Sequence, residues 1–218
     1  MSEATPPTDS GPRLLLVSPP LDDASAPGAL AAALAVAGEV DIAALLLRPG
    51  GLDDGAFGRV LTAPLRQAQQ AGVAVLLEDR PELVAESGAD GLHVTLAERK
   101  LRLKDLRARF GADLILGAGC GASRHLAMTA GEEGADYIGF GEIAGAAADP
   151  ETIAWWEAVM TPPQVAFGAA DLETAQALAT AGPDFLAAGP ALWAASGDPA
   201  AALLGLRAAV AKAVADGA

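Results

Sequence analysis

Three charged residues of this chain occupy positions from which they could act on a small ligand. Arg48 ends an apolar segment predicted to be a buried strand, so its guanidinium must emerge at the strand end and bind either an anion or a neighbouring acid such as Glu78. Asp79 and Glu98 follow the next two predicted strands, and carboxylates at adjacent strand ends could bind a hard cation such as Mg²⁺. The alternative for both acids is a solvated charge or an ion pair with Arg80.

Two further side chains carry reactive groups. His93, at the end of a predicted strand, could transfer a proton or simply hydrogen-bond the backbone between two strand ends, and the second role is favoured. Cys120 lies in a glycine-rich segment with no basic residue assigned beside it. We therefore expect it to be a small packed side chain rather than a nucleophile.

A short phrase of glycine, one further residue and aspartate, followed by apolar residues, recurs along the chain. Its four copies are Gly88–Leu92, Gly111–Ile115, Gly134–Ile138 and Gly182–Leu186, and the first three are evenly spaced. The interval is the length of one helix, one strand and two short loops, which indicates a series of βα units. The glycine is typical of a helix that ends in the left-handed conformation, and the apolar residues predict the next strand.

Eight apolar segments separated by helical ones predict an α/β fold, a (β/α)8 TIM barrel that forms a single domain over residues 13–218. The predicted strands are Arg13–Val17, Val40–Leu47, Val73–Leu77, Gly91–Val94, Leu114–Gly117, Tyr137–Phe140, Gln164–Phe167 and Phe185–Ala187. A helix over Asp53–Ala71 should be kinked or split by Pro64, and a last helix over Pro190–Val214 should break near Gly197. An open doubly wound sheet is the alternative, disfavoured because no GxGxxG follows the first strand. In a barrel the residues after each strand share one rim, so functional residues should converge there.

Composition limits the classes of function. The 218 residues carry a net charge of −14, which repels a nucleic acid backbone but allows a small phosphorylated ligand held by local donors. No apolar run approaches the roughly 20 residues that cross a bilayer, and the polar, proline-rich residues 1–12 predict a disordered tail rather than a signal sequence. We therefore expect a cytoplasmic protein with neither nucleic acid nor membrane as a partner. Cys120 is the only cysteine, which excludes an internal disulfide.

Four segments of the chain are similar to those of one family. They read GADGLHV from Gly88, GAGC from Gly117, GADYIGFG from Gly134 and VAFG from Val165. In this order, over about residues 40–193, they resemble the thiamine phosphate synthase and thiazole tautomerase (TenI) family. The resemblance implies a (β/α)8 barrel. For thiamine phosphate synthase it also implies the Mg²⁺-dependent joining of a pyrimidine diphosphate to a thiazole phosphate, with release of pyrophosphate.

The resemblance assigns residues to a diphosphate and metal site. Arg48 matches the arginine of the family's QLRxK strand end. Asp79 and Arg80 match its NDR motif, in which Glu78 replaces the asparagine. Glu98 falls where the GQED motif has its metal-binding aspartate. The resemblance therefore implies that Arg48 and Arg80 contact the substrate, with Arg48 at the reacting diphosphate, and that Asp79 and Glu98 bind Mg²⁺.

The family's phosphate-binding side chains are largely replaced in this chain. The loop after the sixth strand, residues 145–149, reads GAAAD in place of a PTxTK-like segment. Gly119 replaces the serine of the family's GVS segment, Ala169 the second glycine of its GGI turn, and Pro190 the serine of its last phosphate loop. The amides of Gly168 and Gly189 keep the outline of a phosphate site after strands seven and eight. These replacements predict a transferase activity that is weak or lost.

Two other functions stay open on the sequence alone. The tautomerase branch has a histidine just after the FG of strand six, where this chain has Glu142, and a partly buried carboxylate with a raised pKa could transfer a proton there. The alanine-rich loop also fits a module that binds a phosphorylated ligand without chemistry. Trp155 and Trp156 should pack a helix against its neighbours, or mark a contact in a homo-oligomer.

Overall fold

Eight parallel strands close into a barrel in the computed structural model, and helices surround it. The structure describes residues 11–96, 102–195 and 197–217. The strands are β1 (Arg13–Pro20), β2 (Ile42–Arg48), β3 (Ala74–Glu78), β4 (Gly91–Thr95), β5 (Ile115–Gly121), β6 (Tyr137–Phe140), β7 (Gln164–Ala166) and β8 (Phe185–Ala188). The helices are α1 (Ala26–Leu34), α2 (Asp54–Val60), α3 (Thr62–Gln70), α4 (Pro81–Ser87), α5 (Leu103–Phe110), α6 (Arg124–Glu132), α7 (Pro150–Val159), α8 (Leu172–Thr180), α9 (Pro190–Trp193) and α10 (Pro199–Gly217).

Closure is complete because the first and last strands pair with each other. Leu15 of β1 lies opposite Ala187 of β8, and the remaining neighbours follow chain order. This confirms the predicted TIM barrel and excludes the open sheet. The four glycines that begin the repeated phrase, Gly88, Gly111, Gly134 and Gly182, all have positive φ. Gly88 ends α4 in the predicted left-handed conformation, whereas Gly111 ends α5 with a ψ of −167°, outside that region.

Three aspartates of the repeated phrase fasten neighbouring strands together. Each lies just before an even-numbered strand, and its carboxylate accepts a hydrogen bond from an N–H near the start of the preceding strand. The pairs are Asp90 with Val75 at 2.8 Å, Asp136 with Leu116 at 2.7 Å, and Asp184 with Gln164 at 2.8 Å. The phrase therefore recurs because the same strand junction recurs around the base of the barrel.

Side chains that point into the barrel alternate with side chains that pack under the helices. The interior cluster consists of Leu15, Val17, Leu46, Leu76, Tyr137, Val165, Phe167 and Ala187. β5 faces this space with glycines in alternate positions, because a Cβ on Gly117 would strike the Tyr137 ring and one on Gly119 would lie 2.8 Å from Nε2 of His93. The prediction that this strand ends at Gly117 is wrong, because β5 continues to Gly121.

The two long helices that the sequence predicts to be interrupted, Asp53–Ala71 and Pro190–Val214, each form two separate helices. The segment with Pro64 forms α2 and α3, which meet at Leu61, so the proline lies in the first turn of α3, where its missing N–H has no intrahelical role. The C-terminal segment forms α9 and α10, with α10 continuing to Gly217.

Some predictions fall on parts of the chain that the structure does not describe. These are the first ten residues of the predicted disordered tail and Glu98 of the predicted metal pair. Among the helices of the described ranges, none has the length and apolar character needed to span a membrane.

The strand-fastening aspartates predict a specific loss of stability. Replacing Asp90 with alanine should lower the free energy of unfolding by about 1–3 kcal/mol, because the partly buried N–H of Val75 loses a charged acceptor. Asp113 is the matched control, since it holds the same place in the phrase but is exposed. Urea denaturation of Asp113→Ala should change the free energy of unfolding by less than about 0.5 kcal/mol. Equal losses in the two variants would contradict the fastening role.

Candidate functional site

The ends of the strands surround a mouth with two lobes that share Arg48, Ile143 and Ala144. The polar lobe has a volume of about 470 Å³ and includes Arg48, Glu78, Asp79, His93, Thr95 and Glu142 in its lining. The apolar lobe has a volume of about 370 Å³ and is lined mainly by small or apolar residues, among them Val17, Pro20, Ala169, Ala187, Gly189 and Pro190. A ligand with one charged end and one weakly polar end fits such a mouth.

Arg48 lies between the two lobes and is held on both sides. Its Nε lies 3.5 Å from Oε2 of Glu78, and each side chain is only 17% exposed. Its backbone N–H donates to the hydroxyl of the buried Ser18 at 3.0 Å. The ion pair that the sequence left as one of two alternatives is therefore present. The guanidinium still lines both lobes, so it can also contact an anion.

Glu78 is a carboxylate that the fold keeps away from bulk water. Burial raises the pKa of Glu78, and Asp79 adds to the increase, while Arg48 opposes it. The pairing with Arg48 therefore only partly offsets the cost of removing the negative charge from water. An asparagine, as in the family's NDR motif, would carry no such charge beside the arginine.

Asp79 is positioned by backbone groups of the next strand. Its φ of 51° is in the left-handed region, which aspartate tolerates better than most residues. Its Oδ1 accepts a hydrogen bond from the N–H of Thr95 at 2.9 Å, and its own N–H donates to the carbonyl of His93 at 2.9 Å. These bonds fix the carboxylate at the wall of the polar lobe.

The predicted metal pair is described only in part. Asp79 lines the polar lobe, whereas Glu98 lies outside the described residues. Within residues 11–96, 102–195 and 197–217, no three His, Cys, Asp or Glu side chains group closely enough to form a metal site. Mg²⁺ binding by Asp79 and Glu98 thus stays a prediction.

Arg80 points away from both lobes. Its Nε lies 3.0 Å from Oδ1 of Asp54, and its Nη2 donates to the carbonyl of Leu52 at 3.3 Å. These contacts tie β3 to the loop before α2. The predicted substrate contact of Arg80 would require the side chain to leave these partners.

Glu142 closes the loop after β6 on itself. Its N–H donates to the carbonyl of Ala146 at 2.9 Å, and its Oε2 accepts from the N–H of Ala146 at 3.2 Å. The residue lines the polar lobe but is exposed. The partial burial on which its predicted acid–base role depends is therefore missing in this arrangement.

Gly168 and Gly189 both line the apolar lobe, as expected for neighbouring strand ends. Gly168 has a φ of 87°, and a Cβ there would lie 2.5 Å from Cα of Ala147, so only glycine lets the alanine-rich loop cross this point. Gly189 precedes α9, whose first residue, Pro190, has no N–H. The site that a phosphate would occupy thus offers few donors.

His93 is bound by another side chain rather than by the backbone. It is 1% exposed, and its Nδ1 lies 2.7 Å from the hydroxyl of Tyr137. Burial lowers the pKa of His93 to about 4, although Asp79 opposes the shift, so the ring is neutral at pH 7. Sequence reasoning missed Tyr137. The sequence signal that could have shown this pair is the alternation of inward-facing and outward-facing side chains along β4 and β6, which places both His93 and Tyr137 inside the barrel.

Cys120 is buried, in agreement with the prediction of a packed thiol. Burial raises the pKa of the Cys120 thiol to about 12, so almost no thiolate is present at neutral pH. Trp156 is also packed: it is 1% exposed, and its indole N–H donates to the carbonyl of Pro162 at 2.8 Å. Neither residue contributes a reactive group to the mouth.

Comparison with known proteins gives consistent matches. A family model described as thiamine monophosphate synthase matches residues 14–192. The thiamine-phosphate synthase of Rhodospirillum centenum is 42% identical over 199 residues, which cover 88% of this chain and 94% of that protein. The thiamine-phosphate synthase of Hyphomonas neptunium is 39% identical over 203 residues, which cover 88% of this chain and 90% of that protein. The solved thiamine phosphate pyrophosphorylase from Pyrococcus furiosus has a TM-score of 0.78 at 19% identity, covering 94% of this chain and 98% of that one, and supports the fold.

The buried carboxyl of Glu78 predicts a pH-dependent stability. The pKa of Glu78 is raised in the folded protein, so its protonated form favours the folded state. This contribution to the free energy of unfolding is complete below the usual glutamate pKa of about 4.3 and is lost as pH rises through the raised pKa. Glutamine cannot lose a proton. In urea denaturation, the free energy of unfolding of Glu78→Gln relative to wild type should therefore increase as pH rises across this window.

Glu82 provides a control of opposite sign. A hydrogen bond from Arg109 lowers the pKa of Glu82, so its contribution is present above the usual glutamate pKa and is lost as pH falls. The relative stability of Glu82→Gln should decrease with rising pH. A relative stability of Glu78→Gln that stays flat or falls with pH would contradict the burial argument.

Proposed function

Because the chain belongs to the thiamine monophosphate synthase family, we propose that it transfers a pyrimidine from its diphosphate to a thiazole phosphate in thiamine biosynthesis, with a weakened hold on both phosphate groups. The observation that carries this proposal is a single mouth in which Arg48 joins a polar lobe bearing Asp79 to an apolar lobe bearing Gly168 and Gly189. Two substrates can therefore lie side by side, one in each lobe, with the guanidinium of Arg48 between them.

The reaction breaks one bond and forms another at the same carbon. The carbon–oxygen bond to the diphosphate breaks, pyrophosphate leaves with the electron pair, and the ring nitrogen of the thiazole bonds to the carbon. Negative charge grows on the leaving oxygen, so a cation fixed beside it lowers the barrier. Arg48 is suited to this role because Glu78 and Ser18 already hold it in place.

Glu78 limits the same interaction. An anion that binds Arg48 must compete with a carboxylate whose Oε2 lies 3.5 Å from the guanidinium Nε. The ligand therefore gains less from Arg48 than it would from an unpaired arginine. This is one physical source of the weakened hold that we propose.

The residues present suit Mg²⁺. The carboxylates of Glu78 and Asp79 both line the polar lobe, and hard cations prefer such oxygen ligands. Asp79 would bind the ion together with Glu98, while the N–H of Thr95 keeps the Asp79 carboxylate oriented. When bound, Mg²⁺ would neutralise charge on the leaving pyrophosphate.

The acceptor's phosphate would lie in the apolar lobe against backbone groups near Gly168 and Gly189. Hydrogen bonds to charged groups contribute roughly 1.5–3 kcal/mol each, so the loss of about four family donors could remove on the order of 6–12 kcal/mol of binding. Even half of that loss would slow the reaction by about a hundredfold or more. We therefore expect slow turnover with a high KM for the thiazole phosphate.

The tautomerase alternative gains no support from the site. Its assigned proton carrier, Glu142, is exposed and hydrogen-bonded to Ala146. The transferase needs no such carrier, because its chemistry depends on charge stabilisation in the polar lobe.

Turnover tests the proposal directly. The purified chain, incubated with both phosphorylated substrates and Mg²⁺, should form thiamine phosphate, and its expression should let a bacterium that lacks thiamine phosphate synthase grow without thiamine. Replacing Arg48 by methionine together with Glu78→Gln, which avoids an unpaired buried carboxylate, should lower kcat/KM by about 10–150-fold relative to Glu78→Gln alone. The exposed Arg59→Ala is the control and should leave kcat/KM unchanged. Absence of thiamine phosphate at high protein concentration would rule out the transferase.

The role of Asp79 predicts a changed Mg²⁺ requirement. Asparagine tolerates the left-handed backbone and can still accept from the N–H of Thr95, so Asp79→Asn should fold normally. With one charge lost from the metal site, the Mg²⁺ concentration for half-maximal activity should rise by about tenfold or more. An unchanged Mg²⁺ titration curve in this variant would place the ion elsewhere.

A further inference from the structure

Two buried side-chain atoms in the lining of the polar lobe have no hydrogen-bond partner within the described part of the chain, Nε of Arg48 and Nε2 of His93. The first lies 3.5 Å from its ion-pair partner, Oε2 of Glu78, so the second is the one without any polar contact. Buried donors and acceptors almost always have a hydrogen-bond partner, so an unpaired one requires an explanation. His93 lines the polar lobe, which gives a ligand access to this atom.

Glycines keep the space in front of the imidazole open. A Cβ on Gly119 would lie 2.8 Å from Nε2 of His93, and a Cβ on Gly139 would lie 2.7 Å from the ring of Phe167. Phe167 also lines the lobe, and its ring centroid lies 5.3 Å from that of His93 at an interplanar angle of 57°. The floor of the lobe is therefore a ring-lined slot with one polar atom in it.

The partner on the other side of the imidazole fixes where its proton lies. Nδ1 of His93 and the hydroxyl of Tyr137 are 2.7 Å apart, and the two side chains are buried, at 1% and 6% exposure. A phenol is a better hydrogen-bond donor than a neutral imidazole, whose unprotonated nitrogen is the better acceptor. The Tyr137 hydroxyl therefore donates to Nδ1, which leaves the proton on Nε2.

We propose that Nε2–H of His93 donates a hydrogen bond to a ring nitrogen of the pyrimidine substrate, with Tyr137 as the positioning residue that holds the imidazole in this tautomer. The inference rests on the proposed transferase function and identifies how the polar lobe recognises the ring. A pyrimidine has sp² nitrogens whose lone pairs lie in the ring plane, as a donor at the floor of a slot requires. The thiazole nitrogen is excluded as the acceptor, because its lone pair must attack the carbon. The diphosphate is drawn instead to the charged Arg48.

The imidazole can be observed directly, because the chain has only two histidines. His125 is exposed on α6, so His125→Gln leaves His93 as the only histidine signal without touching the mouth. In ¹⁵N-histidine NMR of this variant, His93 should be neutral and protonated at Nε2. Saturating pyrimidine diphosphate with Mg²⁺ should shift the Nε2 resonance, whereas pyrophosphate with Mg²⁺ should not. A proton on Nδ1, or an Nε2 resonance that stays unshifted when calorimetry shows saturation, would overturn the proposal.

Ligand analogues separate recognition from a merely structural role. Two pyridine analogues of the pyrimidine diphosphate each replace one ring nitrogen by C–H. One of the analogues should bind the wild-type protein about tenfold more weakly than the parent compound does. The His93→Phe variant should bind that analogue and the parent compound with equal affinity. If His93→Phe does not fold, Tyr137→Phe provides the second variant, and its discrimination between the analogue and the parent should shrink because the tautomer is no longer fixed. If the folded variant distinguishes the analogue from the parent compound as strongly as the wild-type protein does, the proposal is wrong.

The two proposals can fail separately. Formation of thiamine phosphate with an unperturbed His93 would leave the transferase in place and remove the histidine contact. A shifted Nε2 resonance without any turnover would remove the transferase and support the contact with the pyrimidine.

Discussion

Closure of the eight-stranded sheet is the constraint on which the rest of the structure depends. Once β1 pairs with β8, every strand must divide its side chains between the barrel interior and the helices. The interior is too narrow for large side chains from all strands at one level. β5 contributes glycines where β4 and β6 contribute His93 and Tyr137, so the histidine–tyrosine pair, the open slot above it and the position of Phe167 follow from one packing problem.

The same closure gathers the charged residues of the mouth. Arg48, Glu78 and Asp79 come from the ends of two neighbouring strands, and each is held by a contact across a strand boundary. This arrangement gives the polar lobe a preorganised cation, but it also places a carboxylate beside that cation. The balance between Arg48 and Glu78 therefore determines how strongly an anionic ligand binds. The apolar lobe can compensate little, because small and apolar side chains line most of it.

The sequence was sufficient to predict the barrel, because the glycine of the repeated phrase follows four of the helices and the spacing of its copies matches one βα unit. It also placed Arg48 and Asp79 at the rim, since both follow apolar strands. It could not show that Arg80 turns toward Asp54, because that choice depends on the path of the loop before α2. It likewise missed the pairing of Tyr137 with His93. Alternation along β4 and β6 places both side chains inside the barrel, but only the strand register, in which both residues lie beside Gly117, brings them to the same level.

The central claim is that one mouth holds one substrate ring against His93 and its diphosphate against Arg48. A crystal structure of the chain with the pyrimidine diphosphate and Mg²⁺ tests this most directly. The account predicts a ring nitrogen within about 3.2 Å of Nε2 of His93 and diphosphate oxygens at the Arg48 guanidinium. A ligand bound outside this mouth, or a ring turned away from His93, would contradict it.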